Sequence, residues 1–186
     1  MVITILAEPR SGSTNLANWF YSNKNFTTFF EPLNPVSKWF KNYVKPSEYK
    51  YKTKHLVLKE IYYPHKDWTE LIEISDKIIL LYREGYELQL ESFLNSVLTN
   101  NWDKEYIFKP NHSPIVVEKI EYFSKLKSEF KSKYLDGDFF KISYEELYYN
   151  NGFQKILDYL DIAELENKNF PYGRKYRIDA QINKLI

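Results

Sequence analysis

A loop near the start of the chain has the residue types that bind an anion. It consists of Arg10, Ser11, Gly12, Ser13 and Thr14, between a short apolar run and a helical pattern. Small residues let the backbone approach an anion, and the N–H groups at a helix start point towards it. The guanidinium of Arg10 and three hydroxyls add further donors. A plain strand-to-helix turn with a Ser or Thr cap explains the same residues equally well.

The loop differs from the nucleoside-triphosphate P-loop, Gly-x-x-x-x-Gly-Lys-[Ser/Thr]. Gly12 and Thr14 fit the second glycine and the hydroxyl, but alanine and serine stand where the first glycine and the lysine are required. The strongest buried-strand pattern, at residues 77–82, is followed by Arg83, where a magnesium-binding Asp would be expected. These differences disfavour nucleoside-triphosphate hydrolysis. No His, Asp or Glu cluster has metal-ligand spacing, so we expect no metal.

A second candidate for anion binding begins at Arg83. Ser92 follows it on a predicted helix, roughly two helical turns further on. An arginine and a serine in this arrangement can close on one anion from two sides. In the alternative interpretation, Arg83 pairs with a nearby carboxylate such as Glu84 or Glu87, and Ser92 lies on the helix surface.

Together these stretches resemble the sulfotransferases that use 3′-phosphoadenosine 5′-phosphosulfate (PAPS). Residues 5–16 are similar to the family's 5′-phosphosulfate loop and residues 79–92 to its 3′-phosphate motif. Residues 140–147, followed by 156–160, are similar to its late strand and helix. The resemblance implies contacts with PAPS from Arg10, Ser11, Gly12, Ser13, Thr14, Asn15, Arg83 and Ser92. A basic segment near the C-terminus implies further contacts with the 3′-phosphate from Arg174 and Lys175.

The resemblance implies transfer of a sulfuryl group from PAPS to a hydroxyl of a carbohydrate or another small molecule, which leaves 3′,5′-ADP. Arg10 stabilises the transferring group in this scheme. Several departures from the family pattern affect these assignments. The loop has Arg10 where the cytosolic branch has lysine, and the spacing from Arg83 to Ser92 is slightly longer than in that branch. The tail reads Gly-Arg-Lys where the family has Arg-Lys-Gly, and the chain is short for the family.

Glu31 is the predicted general base. It lies between Phe29-Phe30 and a proline, where partial desolvation raises a carboxyl pKa, and its position matches the base of bacterial carbohydrate sulfotransferases. The alternative is a loop carboxylate that pairs with Lys38. Lys59 is a further catalytic candidate that either faces the anion or pairs with Glu60. The other candidates for the base are Glu8, His55 and His65.

Two other functions fit parts of the same pattern. A P-loop kinase of a small metabolite would use the first loop, although Ser13 and Arg83 disfavour it. A nucleotide-binding module without catalytic activity would retain the fold alone. The expected response to 3′,5′-ADP, and to ATP with magnesium, distinguishes these functions from sulfuryl transfer.

Composition limits the classes of protein. The 186 residues are 44% hydrophobic and 27% charged, with 26 basic and 25 acidic residues and a net charge of +1. This balance disfavours nucleic-acid binding. No apolar run approaches the about 20 residues of a membrane helix, and the N-terminus lacks a signal-peptide pattern. Cysteine is absent, which is compatible with a reducing compartment. We expect a cytoplasmic protein with one domain, 1–186.

An alternation of strands and helices must position these residues. Strands are predicted at residues 2–7, 27–30, 56–61, 77–82 and 139–143, and helices at 14–21, 68–74, 87–98, 115–134, 144–149 and 152–160. In the third helix, Leu90, Leu94 and Leu98 share a face. The alternation predicts an α/β three-layer sandwich with a mostly parallel central sheet and a P-loop-like loop after its first strand. Ligands of such sheets bind at the carboxyl ends of the strands.

Overall fold

The computed structural model describes residues 1–34, 54–100, 113–150 and 152–163. Its strands are β1 (Val2–Ala7), β2 (Phe26–Phe30), β3 (His55–Ile61), β4 (Lys77–Tyr82) and β5 (Phe140–Ser143). They form one sheet in the order β2-β3-β1-β4-β5. Every neighbouring pair is parallel. The predicted α/β class is therefore confirmed, and the sheet is parallel throughout its described strands.

Six α-helices connect and cover these strands in the described part of the chain. They are α1 (Ser13–Tyr21), α2 (Thr69–Glu73), α3 (Tyr86–Thr99), α4 (Pro114–Phe130), α5 (Tyr144–Tyr149) and α6 (Gly152–Leu160). Lys131–Leu135 continues α4 as a π-helical turn, where the sequence predicted one uninterrupted helix. None of the described helices is long and apolar enough to cross a membrane.

Each face of the sheet has its own apolar core. On one face, Ile3 and Ile5 of β1 pack in a cluster with residues of α1, α5 and α6. On the other face, Leu6 and its neighbours pack with α2, α4 and the connection that contains Tyr62 and Trp68. Strands covered on both sides are apolar almost throughout, which explains the mainly hydrophobic sequences of β1 and β4.

Of the three leucines that share a face of α3, one is buried. Leu94 is buried, but Leu90 and Leu98 are only half-buried. The buried residues of the helix are Gln89, Phe93, Leu94 and Ser96, and two of these, Gln89 and Ser96, are polar. Phe93 packs against Phe123 of α4, with ring centroids 4.7 Å apart. Gln89 thus faces the interior, where its amide donates to a buried carboxylate described below.

Candidate active site

The loop between β1 and α1 requires glycine at position 12. Gly12 has φ of 81° and forms the N-cap of α1 without a side-chain cap. A Cβ there would lie 2.9 Å from Cδ2 of Tyr144 and 3.0 Å from Cε2 of Tyr148. The Tyr148 hydroxyl donates to the Gly12 carbonyl over 2.9 Å. The loop is thus held against α5. The N–H groups of Asn15 and Leu16 donate to the Gly12 carbonyl, so the N–H groups that can face an anion are those of the residues before them, at the start of α1.

The side chains of the loop are less uniform than the sequence suggested. The buried Ser11 hydroxyl donates to the Glu8 carbonyl over 2.7 Å. Because a hydroxyl has one proton to donate, Ser11 stabilises the turn in this structure and does not supply the donor that its residue type predicted. Ser13 is buried, Asn15 half-buried and Thr14 exposed. Thr14 is therefore the loop hydroxyl most open to a ligand.

Arg10 connects the two predicted phosphate motifs. Its Nε donates to Oγ of Ser92 over 2.9 Å, from the loop after β1 to the helix after β4. These two strands are neighbours in the sheet, so their carboxyl ends lie side by side. Arg10 itself has φ of 62°, a left-handed conformation uncommon for a residue with a side chain. The structure thus brings together two side chains that are 82 positions apart in the sequence.

Arg83 lies at the same edge but has other partners. Its guanidinium carbon is 4.6 Å from the centroid of the Tyr144 ring, and its Nε is 3.7 Å from Oε1 of Glu145. The carboxylate beside Arg83 therefore comes from α5, and not from Glu84 or Glu87. Ser92 bonds to Arg10, so Arg83 and Ser92 have separate partners in this structure. That both bind one phosphate remains a prediction.

Glu31 and Lys59 form an ion pair across the carboxyl ends of β2 and β3. Nζ of Lys59 donates to Oε1 of Glu31 over 2.7 Å, and Nδ2 of Asn34 donates to Oε2 over 3.1 Å. The Lys59 side chain is 1% exposed and that of Glu31 24% exposed. Glu60, the alternative partner of Lys59, pairs with Lys66 instead. Lys38, the alternative partner of Glu31, lies outside the described residues.

The pKa of Glu31 is lowered, whereas the sequence predicted that it is raised. Burial does raise this pKa, but the charge and hydrogen bond of Lys59, the hydrogen bond of Asn34 and the charge of Lys66 together outweigh it. Burial also lowers the pKa of Lys59, against the opposing effects of Glu31 and Glu60. At neutral pH Glu31 is thus an ionised acceptor that is already paired with a cation.

The other base candidates are less well placed. Glu8 is buried, and its Oε2 accepts hydrogen bonds from three donors. His55 starts β3 and stacks on Phe26 at the opposite end of the strands from the loop. His65 is exposed and stacks with Tyr63. Glu31 therefore remains the candidate whose carboxylate is partly exposed at the carboxyl edge of the sheet.

Four residues at this edge were not predicted from the sequence. Gln89 and Lys127 contact Glu8, while Tyr144 and Tyr148 pack against Gly12. Amphipathic helix patterns suggest core or surface for such residues, and no local motif distinguishes them. Arg174 and Lys175 lie outside the described residues. Within the described ranges, no group of three or more His, Cys, Asp or Glu residues is arranged to hold a metal ion.

Comparison with known proteins finds similarity in structure alone. No family model and no curated protein matches the sequence. Among solved structures, mouse sulfotransferase SULT7A1 complexed with PAP matches with a TM-score of 0.55 and 16% sequence identity. The match covers 88% of this chain and 59% of the mouse protein. The chain therefore spans about three-fifths of that enzyme's length, and it shares the fold of a sulfotransferase.

Proposed function

We propose that the protein is a PAPS-dependent sulfotransferase that transfers a sulfuryl group to a hydroxyl of a carbohydrate or another small molecule. The observation that carries this proposal is the hydrogen bond from Arg10 to Ser92, which joins the two candidate phosphate motifs. The PAP-bound state of the mouse sulfotransferase with this fold supports it as well. PAP is 3′,5′-ADP, the product that sulfuryl transfer from PAPS leaves behind.

In this proposal, the loop after β1 and the strands on either side of it bind different parts of the reactants. The residues after β1, Arg10 to Asn15, bind the 5′-phosphosulfate through backbone N–H groups and the Arg10 guanidinium. Arg83 and Ser92, on the β4 side, bind the 3′-phosphate, with Arg174 and Lys175 as additional donors. On the β3 side, Glu31 and Lys59 are left to face the acceptor hydroxyl.

Glu31 would remove the acceptor's proton as the new bond forms. An acceptor oxygen attacks sulfur, its proton passes to the Glu31 carboxylate, and the bond from sulfur to the 5′-phosphate oxygen breaks. Incoming sulfuryl oxygens compete with Glu31 for the Lys59 ammonium, which lies 2.7 Å from the carboxylate. A weaker pair with Lys59 raises the pKa of Glu31 and makes it a stronger base when the substrate is bound.

Charge stabilisation in this scheme rests on Arg10, Lys59 and oriented N–H groups. A sulfuryl group carries less negative charge than a phosphoryl group, so the proposal requires no metal ion. Independence of a metal ion separates the proposed reaction from that of a P-loop kinase, in which magnesium bridges the phosphates.

Ligand-induced shifts in the unfolding midpoint test the proposal, because a ligand of the native state raises it. We expect 3′,5′-ADP to raise the midpoint more than ATP with magnesium does. The reverse order would support a kinase. A shift with 3′,5′-ADP, but no transfer from labelled PAPS to sugars, lipids or tyrosine peptides, would support a nucleotide-binding module without activity.

An Arg83→Ala variant tests the placement of the 3′-phosphate. A hydrogen bond to a charged group is worth about 1.5–3 kcal/mol, or about ten- to a hundredfold in affinity. We expect the variant to lose about this factor in its preference for 3′,5′-ADP over 5′-AMP. If the variant keeps the wild-type preference, the 3′-phosphate binds elsewhere.

A further inference from the structure

A buried polar triad lies beneath the loop that follows β1. Its members, Glu8, Gln89 and Lys127, come from the end of β1, from α3 and from α4. Nε2 of Gln89 is 3.0 Å and Nζ of Lys127 is 3.1 Å from Oε2 of Glu8, and Nζ of Lys127 is 2.7 Å from Oε1 of Gln89. Glu8 and Gln89 are almost inaccessible to solvent.

The triad also holds the backbone at two places. The Glu8 carboxylate accepts the N–H of Arg83 over 3.1 Å, and the Lys127 ammonium donates to the carbonyl of the same residue over 2.8 Å. Gln89 donates to the carbonyl of Pro9 over 2.8 Å. Pro9 directly precedes Arg10. Three side chains thus fix the backbone at Arg83 and immediately before Arg10.

The hydrogen-bond inventory of the triad favours a single geometry. The two amide hydrogens of Gln89 are used by Glu8 and Pro9. The three ammonium hydrogens of Lys127 match three acceptors, which are Glu8, Gln89 and the Arg83 carbonyl. A flipped amide would place its oxygen against the Glu8 carboxylate. The charges of Glu8 and Lys127 cancel, so the triad holds the loop without changing the net charge beneath it.

We propose that Glu8, Gln89 and Lys127 are positioning residues that set the spacing between Arg10 and Arg83. This inference rests on the proposed function, in which the two arginines bind opposite ends of one nucleotide. A ligand with phosphates at both its 3′ and 5′ positions is recognised by that spacing, whereas a 5′-monophosphate needs the Arg10 side alone. A change in that spacing weakens a charge-assisted contact at one end of the ligand, which costs up to about ten- to a hundredfold in affinity. The triad therefore acts on discrimination between these ligands.

Two variants of the triad, with a matched control, test the inference. Lys127→Met removes all three donors and keeps an unbranched side chain. Gln89→Met removes the hydrogen bond to the Pro9 carbonyl but leaves the ion pair of Glu8 and Lys127 intact. This variant tests the inference on its own if Lys127→Met fails to fold. Lys125→Met is the control, because Lys125 is on the same helix, is 73% exposed and contacts Glu129 at 3.9 Å.

The measurement is calorimetric affinity for 3′,5′-ADP and for 5′-AMP, expressed as a ratio. Partial unfolding lowers both apparent affinities equally, so a residue that only stabilises the fold leaves the ratio unchanged. We expect each triad variant to lower the ratio about tenfold or more, which is the lower end of the loss of a charged contact. We expect Lys125→Met to keep the wild-type ratio.

The inference and the proposed function fail in different ways. Wild-type protein without a preference for 3′,5′-ADP would overturn the proposed function, and the inference with it. A wild-type preference that survives within twofold in Gln89→Met and in any folded Lys127→Met protein would overturn the inference alone. An equal loss in Lys125→Met would also overturn it, because general positive charge would then explain the effect.

Discussion

Replacing Glu31 by glutamine tests the proposed general base most directly. The substitution keeps the size of the side chain and leaves an amide oxygen that can accept the hydrogen bond now 2.7 Å long from Lys59. General-base catalysis typically contributes about 10²–10⁴-fold. We therefore expect kcat to fall by about that factor. PAPS affinity should stay nearly unchanged, because the predicted nucleotide contacts come from the loop after β1 and from the β4 side of the sheet, whereas Glu31 lies on the β3 side.

The pH dependence of the wild-type protein follows from the lowered pKa of Glu31. This pKa lies below the ordinary 4.5 in the free protein, chiefly because Lys59 and Asn34 outweigh the effect of burial. The acidic limb of the kcat/KM profile, which reports free-enzyme groups, is thus expected below about pH 4.5. The glutamine variant has no such limb. The same lowered pKa means that ionised Glu31 stabilises the fold above pH 4.5, and that this stability is lost as the pH falls through the lower folded-state value.

The assay is steady-state transfer from labelled PAPS from about pH 2.5 to 8, so that the acidic limb lies within the range, with urea unfolding at the same pH values. Glu73→Gln serves as the control, because Glu73 is an exposed carboxylate of α2. A glutamine variant at position 31 that keeps its rate and its acidic limb would refute the assignment of the base. One that loses PAPS binding as well would show that Glu31 is structural.

Three further predictions concern the loop and the chemistry. Arg10→Ala should reduce turnover severely and shift the unfolding midpoint little, since Arg10 is half-buried on a loop; unchanged turnover would exclude its role. Gly12→Ala should lower the free energy of unfolding in urea by about 1–3 kcal/mol, because φ is 81° and the new Cβ would lie 2.9 Å from Tyr144; a neutral result would mean that the loop adapts. EDTA should leave turnover intact, and strong inhibition would indicate a metal-dependent kinase.

The sequence predicted the framework well because the framework depends on local pattern. The apolar runs of β1 and β4 define strands whose bounds match the structure, and α5 and α6 also begin and end at the predicted residues. Parallel packing follows from the alternation of strands and helices. The position of the phosphate loop follows from the same pattern, since glycine and small residues there interrupt a strand before a helix.

The partners of the charged residues could not be predicted in the same way. Lys59 donates to Glu31 from 28 positions away in the sequence, and Lys127 donates to Glu8 from 119 positions away. Local sequence shows aromatic neighbours around Glu31 and therefore suggested a raised pKa, while the sheet supplies the cation that lowers it. The burial of Gln89 in α3 could not be predicted for the same reason, because its hydrogen-bond partner is a carboxylate on another element.

The arrangement of buried charge itself indicates where this fold carries its function. Among the residues that the structure describes, three ion pairs with a buried member occur near the carboxyl edge: Glu8 with Lys127, Glu31 with Lys59, and Glu60 with Lys66. Desolvation offsets much of the attraction in such pairs, so apolar residues of similar volume would stabilise a core as well or better. Stability alone is therefore a weak explanation for three such pairs at one edge of the sheet. Under the proposed function, each pair has a role that an apolar side chain cannot perform. Glu8 and Lys127 hold the backbone of Arg83, and Glu31 and Lys59 face the acceptor. Glu60 accepts the N–H of Leu33, two residues after Glu31.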